Sequence, residues 1–286
     1  MAFRHGSATL LIVTGLAVSA AFAQRGPGGG NPRQAAPIDL TGYWVSVVSE
    51  DWRHRMATPR PGDYESIPLS GAGRRAAGEW DLEADNAAGL QCKAFGVGGI
   101  IRQPGRLNVS WENDTTLKID FDAGTQTRLL HFDANAPVPA EKTWQGHSFA
   151  RWQTPPGGGR RGRGGGAGAV ADPEGLVAAG GGGRGQRGGP PPAASIYDGG
   201  SLEVTTTSFR EGYLRKNGVP YSEDASITEY FHLLPTQPNG DEWLLVVTVI
   251  EDVNLSQPYY LSTHFKREPD GDNFNPTPCR TAPPPP

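Results

Sequence analysis

Between Ser201 and Phe265 the chain reads as four strands in close succession: Leu202–Phe209, Ile227–Leu234, Trp243–Glu251 and Tyr259–Phe265. Leu202, Val204 and Thr206 alternate with Glu203 and Thr205, the period-two pattern of a strand with one buried face. Trp243–Ile250 is apolar at nearly every position, which predicts a strand covered on both faces. Asn, Gly and Pro punctuate the connections, so neighbouring strands turn back on one another. One connection, Gly212–Tyr221, is rich in aromatic and basic side chains and is the first place to look for function.

The same rhythm precedes it. Asp39–Val48 opens the first block through Gly42-Tyr43-Trp44, and Val97–Arg102, Arg106–Trp111, Thr116–Phe121, Gln126–Phe132 and His147–Trp152 follow as short strands. Glu112-Asn113-Asp114 and Asp122-Ala123-Gly124 supply tight turns. Regular short strands with short turns predict an all-β fold, an antiparallel up-and-down barrel, because closure removes exposed edges; a sandwich is the alternative. One short helix is expected within Ser66–Asn86, capped by Ser70 and weakened by Gly71, Gly73 and Gly78.

Several segments lie outside that fold. Residues 1–23 place Arg4 before an apolar run centred on Leu10–Val18 and end in Ala21-Phe22-Ala23, the layout of a secretory signal with a cleavage site. Residues 24–37 read as a flexible linker and 282–286 as a Pro-rich tail. Residues 155–194 are dominated by Gly, Arg and Pro and predict a disordered insert, dividing one barrel domain into 38–154 and 195–281. Arg161-Gly162-Arg163-Gly164-Gly165 looks like an RNA-binding tail, but in an exported chain a plain loop is the expectation.

Charge narrows the partners. The chain carries −4 overall; without Arg4 it carries −5, and without the insert, whose five Arg oppose Asp172 and Glu174, the ordered body carries −8. That body suits neither nucleic acid nor an anionic membrane, so a small-molecule ligand is the expected partner, in a periplasmic or secreted location. Cys92 and Cys279 are the two cysteines, and an even count in an oxidising compartment predicts a disulfide. The histidines lack ligand spacing, and Rossmann, P-loop and G-x-S-x-G motifs are missing. No metal and no cofactor are expected.

Gly42-Tyr43-Trp44, the meander of hairpins, Gly212–Tyr221, Thr228-Glu229-Tyr230-Phe231 and Glu251-Asp252 together resemble a family of exported bacterial proteins with a lipocalin-like, calycin-type barrel. The resemblance implies a barrel with room for a ligand and supplies no catalytic residue.

Three groups of side chains carry potential chemistry. Glu50–Met56 packs Asp51, Trp52, Arg53, His54 and Arg55 directly behind a strand; if extended, Asp51, Arg53 and Arg55 share one face. Arg102, Arg106, Asp120, Asp122, Gln126, Arg128 and His131 form a second set, with solvent as the expected surrounding. Tyr213, Arg215, Lys216, Tyr221, Glu229, Tyr230, His232 and His264 form a third. An inward Glu229 would need a cation such as Arg128 to stay charged away from water. Two functions follow. In one the barrel binds a small, partly apolar molecule, with Trp44, Trp52 and Trp111 as lining and Arg53, His54, Arg55, Arg128 and Arg215 as polar contacts. In the other it is a cofactor-independent isomerase or lyase, with Asp51 or Glu229 as base and Tyr213 or Tyr221 as acid.

Overall fold

A computed structural model describes residues 30–154 and 199–285. The signal-like segment and the Gly/Arg-rich insert lie outside these residues. In chain order the strands are β1 (Gly42–Val47), β2 (Arg106–Asn113), β3 (Thr116–Phe121), β4 (Ala123–Gly124), β5 (Gln126–His131), β6 (His147–Gln153) and β7 (Ser201–Thr207). They continue as β8 (Gly212–Arg215), β9 (Val219–Tyr221), β10 (Ser226–Leu233), β11 (Trp243–Glu251), β12 (Tyr259–Glu268) and β13 (Thr277–Pro278). Nine of them close a barrel in the order β1-β12-β11-β10-β7-β6-β5-β3-β2, while β8-β9 and β4-β13 form separate pairs.

The barrel departs from the expected up-and-down course at one joint. β5 and β6 run parallel, in register at Leu130↔Ser148 and His131↔Phe149, and the other neighbours are antiparallel. In a ring of nine strands, directions cannot alternate all the way round, so at least one parallel pair is unavoidable. Parallel neighbours need a long crossover, and residues 132–146 supply it. The crossover crosses the end of the barrel, where Val97 N–H donates to Trp144 O (2.9 Å) and Gln145 Nε2 to Phe95 O (2.7 Å).

Inward residues follow from the period of two. Leu107, Leu117, Ile119, Leu130, Leu202 and Phe231 fill one cluster around the fully buried Trp44. A second cluster, including Phe209, Val219, Tyr221, Ile227 and Ile250, lies beneath the elements covering one end. Between Ile227/Ile250 and Phe231/Val246 the register places Glu229 opposite Thr248. This polar layer also contains Arg128, Ser148 and Thr206, all essentially inaccessible. β11 alternates buried and half-buried positions along its length, so its outer face is not covered as its uniform apolarity suggested.

Helices are more numerous than the single one expected: α1 (Trp52–Met56), α2 (Gly71–Gly78) and α3 (Leu82–Ala87), with 3-10 turns at Gln91–Phe95 and Ile100–Arg102. α2 is the anticipated helix, and Ser70 caps it by accepting from Gly73 N–H (3.1 Å). The strand expected at Val97–Arg102 is instead turn and 3-10 helix. Glycine explains the change: a Cβ at Gly96 would lie 2.2 Å from the Tyr221 hydroxyl, and one at Gly98 would lie 2.7 Å from its ring. The segment packs through bare backbone where a strand would present side chains.

Cys92 and Cys279 form a disulfide that anchors the tail beside β4. The described part of the expected linker lies against the barrel, where Trp152 Nε1 donates to Pro32 O (2.9 Å).

Candidate functional site

The chain leaves β1 and reverses at Asp51, whose backbone is left-handed (φ 47°, ψ 31°). Asp51 O accepts from His54 N–H (2.8 Å) and Arg55 N–H (3.1 Å), so the Trp52–Met56 segment winds into α1 and does not stay extended. The winding replaces the expected alternation of faces. His54 and Arg55 turn inward, while Trp52 (64% exposed) and Met56 face solvent.

Asp51, His54 and Arg55 meet Arg102, Gln103, Leu214, Arg215, Lys216, Tyr259 and Leu261 around a cleft at one mouth of the barrel. Its cavity is about 20 Å³, room for roughly one water-sized group. Backbone carbonyls fix most of the cations. Arg102 Nη1 donates to Ser262 O and its Nη2 to the Asp51 carboxylate, both at 2.6 Å. Arg215 Nη2 donates to Glu65 O (2.9 Å), and Lys216 Nζ to Arg55 O (3.1 Å). Asn217, at the tip of the β8-β9 hairpin, donates to the carbonyls of Arg60 and Asp63, fastening the loop that forms one wall.

Arg55 stands apart. It is 4% exposed, its Nε donates to Arg102 O (2.9 Å), and its Nη1 and Nη2 are buried without a hydrogen-bond partner among the described residues. The nearest carboxylate oxygen, Glu50 Oε2, is 3.6 Å from Nη1, too far for a hydrogen bond. Glu50 Oε1 meets His264 Nδ1 (2.5 Å) and the Ser262 hydroxyl (3.1 Å), while its Oε2 faces Arg55 as an ion pair without a hydrogen bond. Desolvation, then repulsion from Arg102, pulls the Arg55 guanidinium down to about 10. Burial lowers Arg215 and Lys216 as well, with Arg55 adding to the effect on Lys216. Burial raises the Tyr259 phenol. Crowded, partly dehydrated cations of this kind lower their energy by taking up an anion.

Beside the cleft, a more open groove of about 580 Å³ is lined by Tyr64, Ile67, Pro68, Pro258, Tyr259 and Tyr260, among others. Tyr259 lines both. On the flank of α1, His54, Asp63 and Glu65 bring three potential metal-donor atoms within 4.8 Å of one another. The cluster already holds a cation: Arg53 Nη2 lies 2.9 Å from Glu65 Oε2, 3.5 Å from Asp63 Oδ2 and 3.1 Å from His54 Nε2.

The other sequence candidates are dispersed. Arg128 pairs with Glu229 in the barrel interior through Nη2–Oε2 (2.5 Å) and Nη1–Oε1 (3.2 Å) contacts, both side chains inaccessible. Tyr213 donates to Asp85 Oδ2 (2.8 Å). Tyr221 packs edge-on against Phe209 in the second core cluster. Trp44 is buried with Arg267 over its ring at 4.2 Å, and Trp111 stacks on Phe132. Asp51, His54, Arg55 and Arg215 are thus brought together; Trp44, Trp111, Arg128, Glu229, Tyr213 and Tyr221 lie elsewhere. Tyr259 and Leu261 were not singled out from sequence, although Pro258-Tyr259-Tyr260 at the start of a strand is a signal that could have found them. No protein-family model matches the chain, and neither a curated protein nor a solved structure matches it.

Proposed function

We propose that this chain is an exported, lipocalin-like binding barrel that holds a small, partly apolar molecule with an anionic group, at the mouth and not in the lumen. The observation carrying this reading is Arg55: a buried guanidinium whose Nη1 and Nη2 make no hydrogen bond among the described residues, in a cleft it shares with Arg102, Arg215 and Lys216. Buried N–H donors left without a hydrogen bond are costly unless something binds them. Leu214, Leu261 and Tyr259 supply the apolar side, whereas the lumen positions hold packed side chains. Export is supported by the Cys92–Cys279 bridge, since disulfides persist in oxidising compartments; no helix among the described residues is long and apolar enough to cross a membrane. The test is hydrogen exchange during titration with a panel of small anionic and neutral compounds. Protection confined to residues 51–67, 212–218 and 257–262 is expected, and protection of the inward strand centres instead would refute a site at the mouth.

A second reading, a cofactor-independent isomerase or lyase, draws on one observation. Asp51 holds a left-handed backbone, unusual for a residue other than glycine and a form of strain that collects at functional sites. Its carboxylate shares the cleft with Tyr259 and Arg102, so in this reading Asp51 is the base, Tyr259 replaces Tyr213 and Tyr221 as the acid, and Arg102 stabilises developing charge. Deuterium from solvent should then enter a bound compound at the carbon next to its anionic group. Incorporation that persists unchanged in Asp51→Asn would exclude Asp51.

A further inference from the structure

We infer that the ligand is a carboxylic acid bearing a flat ring, its carboxylate against Arg55 in the cleft and its ring in the neighbouring tyrosine–proline groove. This deepens the proposed binding reading and rests on it. Four observations select that class. First, the Arg55 donors that make no hydrogen bond among the described residues are the two terminal nitrogens, Nη1 and Nη2, while Nε is used. Their parallel N–H groups match the two oxygens of a carboxylate. Second, the cleft's 20 Å³ admits only a small head group, so the rest of a ligand lies outside it. Third, charge is unbalanced: Arg55, Arg102, Arg215 and Lys216 line the cleft with one carboxylate, Asp51, and Arg102 already engages it. Glu50, the other carboxylate near Arg55, gives Oε1 to His264 and faces Arg55 with Oε2 at 3.6 Å, so four cations still stand against two carboxylates.

The fourth observation concerns the rest of the molecule. Tyr259 forms part of both the cleft and the groove, so a ligand anchored on Arg55 extends past its ring. The groove then offers Tyr64, Tyr260, Pro68 and Pro258, flat faces suited to stacking against a ring. Tyr260 is 67% exposed, although its neighbours in the strand, Tyr259 and Leu261, are buried. Stacking by a ligand would cover that face.

Calorimetric titration of the disulfide-bonded protein at pH 7.5 with 3-phenylpropanoate, 3-phenylpropan-1-ol, acetate and inorganic phosphate tests each part. The acid should bind at least tenfold tighter than the alcohol and than acetate, and phosphate should not compete at equal concentration. Arg55→Lys keeps the charge but loses the fork, and should reduce the acid-to-alcohol ratio to threefold or less. Lys216→Gln, which removes a second cation from the cleft lining, should reduce that ratio independently should Arg55→Lys fold poorly. Tyr260→Ser should weaken acid and alcohol alike, by about the same factor. Equal binding of acid and alcohol, or displacement of the acid by phosphate, overturns the carboxylate assignment while leaving a site at the mouth. Acetate as tight as the acid overturns the ring assignment. Binding of none of the four overturns the site at the mouth along with both assignments.

Discussion

The Arg128–Glu229 pair permits a sharp test of what holds the barrel together. Both side chains are inaccessible, and Arg128 Nη2 also donates to Thr206 Oγ1 (3.2 Å) and, more weakly, to Ser148 Oγ (3.4 Å). Arg128→Met leaves the Glu229 carboxyl without its partner in the interior, and Glu229→Met strands the guanidinium. Each loses the two charge-assisted hydrogen bonds of the pair, about 1.5–3 kcal/mol apiece, Arg128→Met also those to Thr206 and Ser148, and breaking a buried pair from one side costs about 3–5 kcal/mol. The double variant removes both desolvation penalties at once. It should lie within about 1 kcal/mol of the parent or exceed it, giving a coupling energy of several kcal/mol in a double-mutant cycle. Urea denaturation with the disulfide intact measures all four proteins, provided the slope stays constant. A double variant as unstable as the sum of the singles would refute the reasoning, and so would a single variant costing under about 1 kcal/mol.

Three further outcomes are expected. Burial lowers His131 and His232 below the usual 6.5, and His147 adds to the effect at His131. The unfolded chain therefore binds protons first as pH falls below about 6.5, stability should drop through that window, and His131→Gln should flatten the drop measured by urea midpoints. Reducing Cys92–Cys279, which closes a separation of 187 residues, should cost about 5 kcal/mol in the chain-entropy view, read as a lower denaturation midpoint with reductant; no change would show that the bridge does not constrain the unfolded chain. Gly218 has φ +79° and a Cβ there would lie 2.1 Å from the Trp80 ring, so Gly218→Ala should cost about 3 kcal/mol and weaken anion binding by displacing Arg215 and Lys216, both measurable by calorimetry.

Much of the barrel was legible because strands advertise themselves locally. Thr116–Phe121 and Trp243–Glu251 have the bounds read from their pattern, and Ser70 caps where a capping residue should. The parallel joint was not legible: it is a property of the strand count around a closed ring, and the Pro-bearing 132–146 segment resembles an ordinary loop. Val97–Arg102 misled because Val and Ile suggest a strand, whereas the deciding contact, Tyr221 against Gly96 and Gly98, comes from more than a hundred residues away. For the site, Asp51, His54, Arg55 and Arg215 stood out by chemical type. Their convergence with Tyr259 and Leu261 depends on α1 folding back at Asp51 and on the β8-β9 hairpin reaching across the mouth, neither of which has a periodic signature.

The parallel joint has a mechanical consequence. β5 and β6 share two register pairs, against seven for the adjacent β6–β7 ladder, so this is where the ring is most weakly zipped by backbone. Arg128 on β5 reaches Ser148 on β6, Thr206 on β7 and Glu229 on β10, acting as a clasp across the gap. A hoop that parts at one point flexes most at the point opposite. Counting around the ring, three strands separate β12 from β6 in one direction and from β5 in the other, so the antipode is the strand carrying Tyr259 and Leu261. Loosening the clasp on one side of the barrel should therefore bend the wall of the cleft on the other.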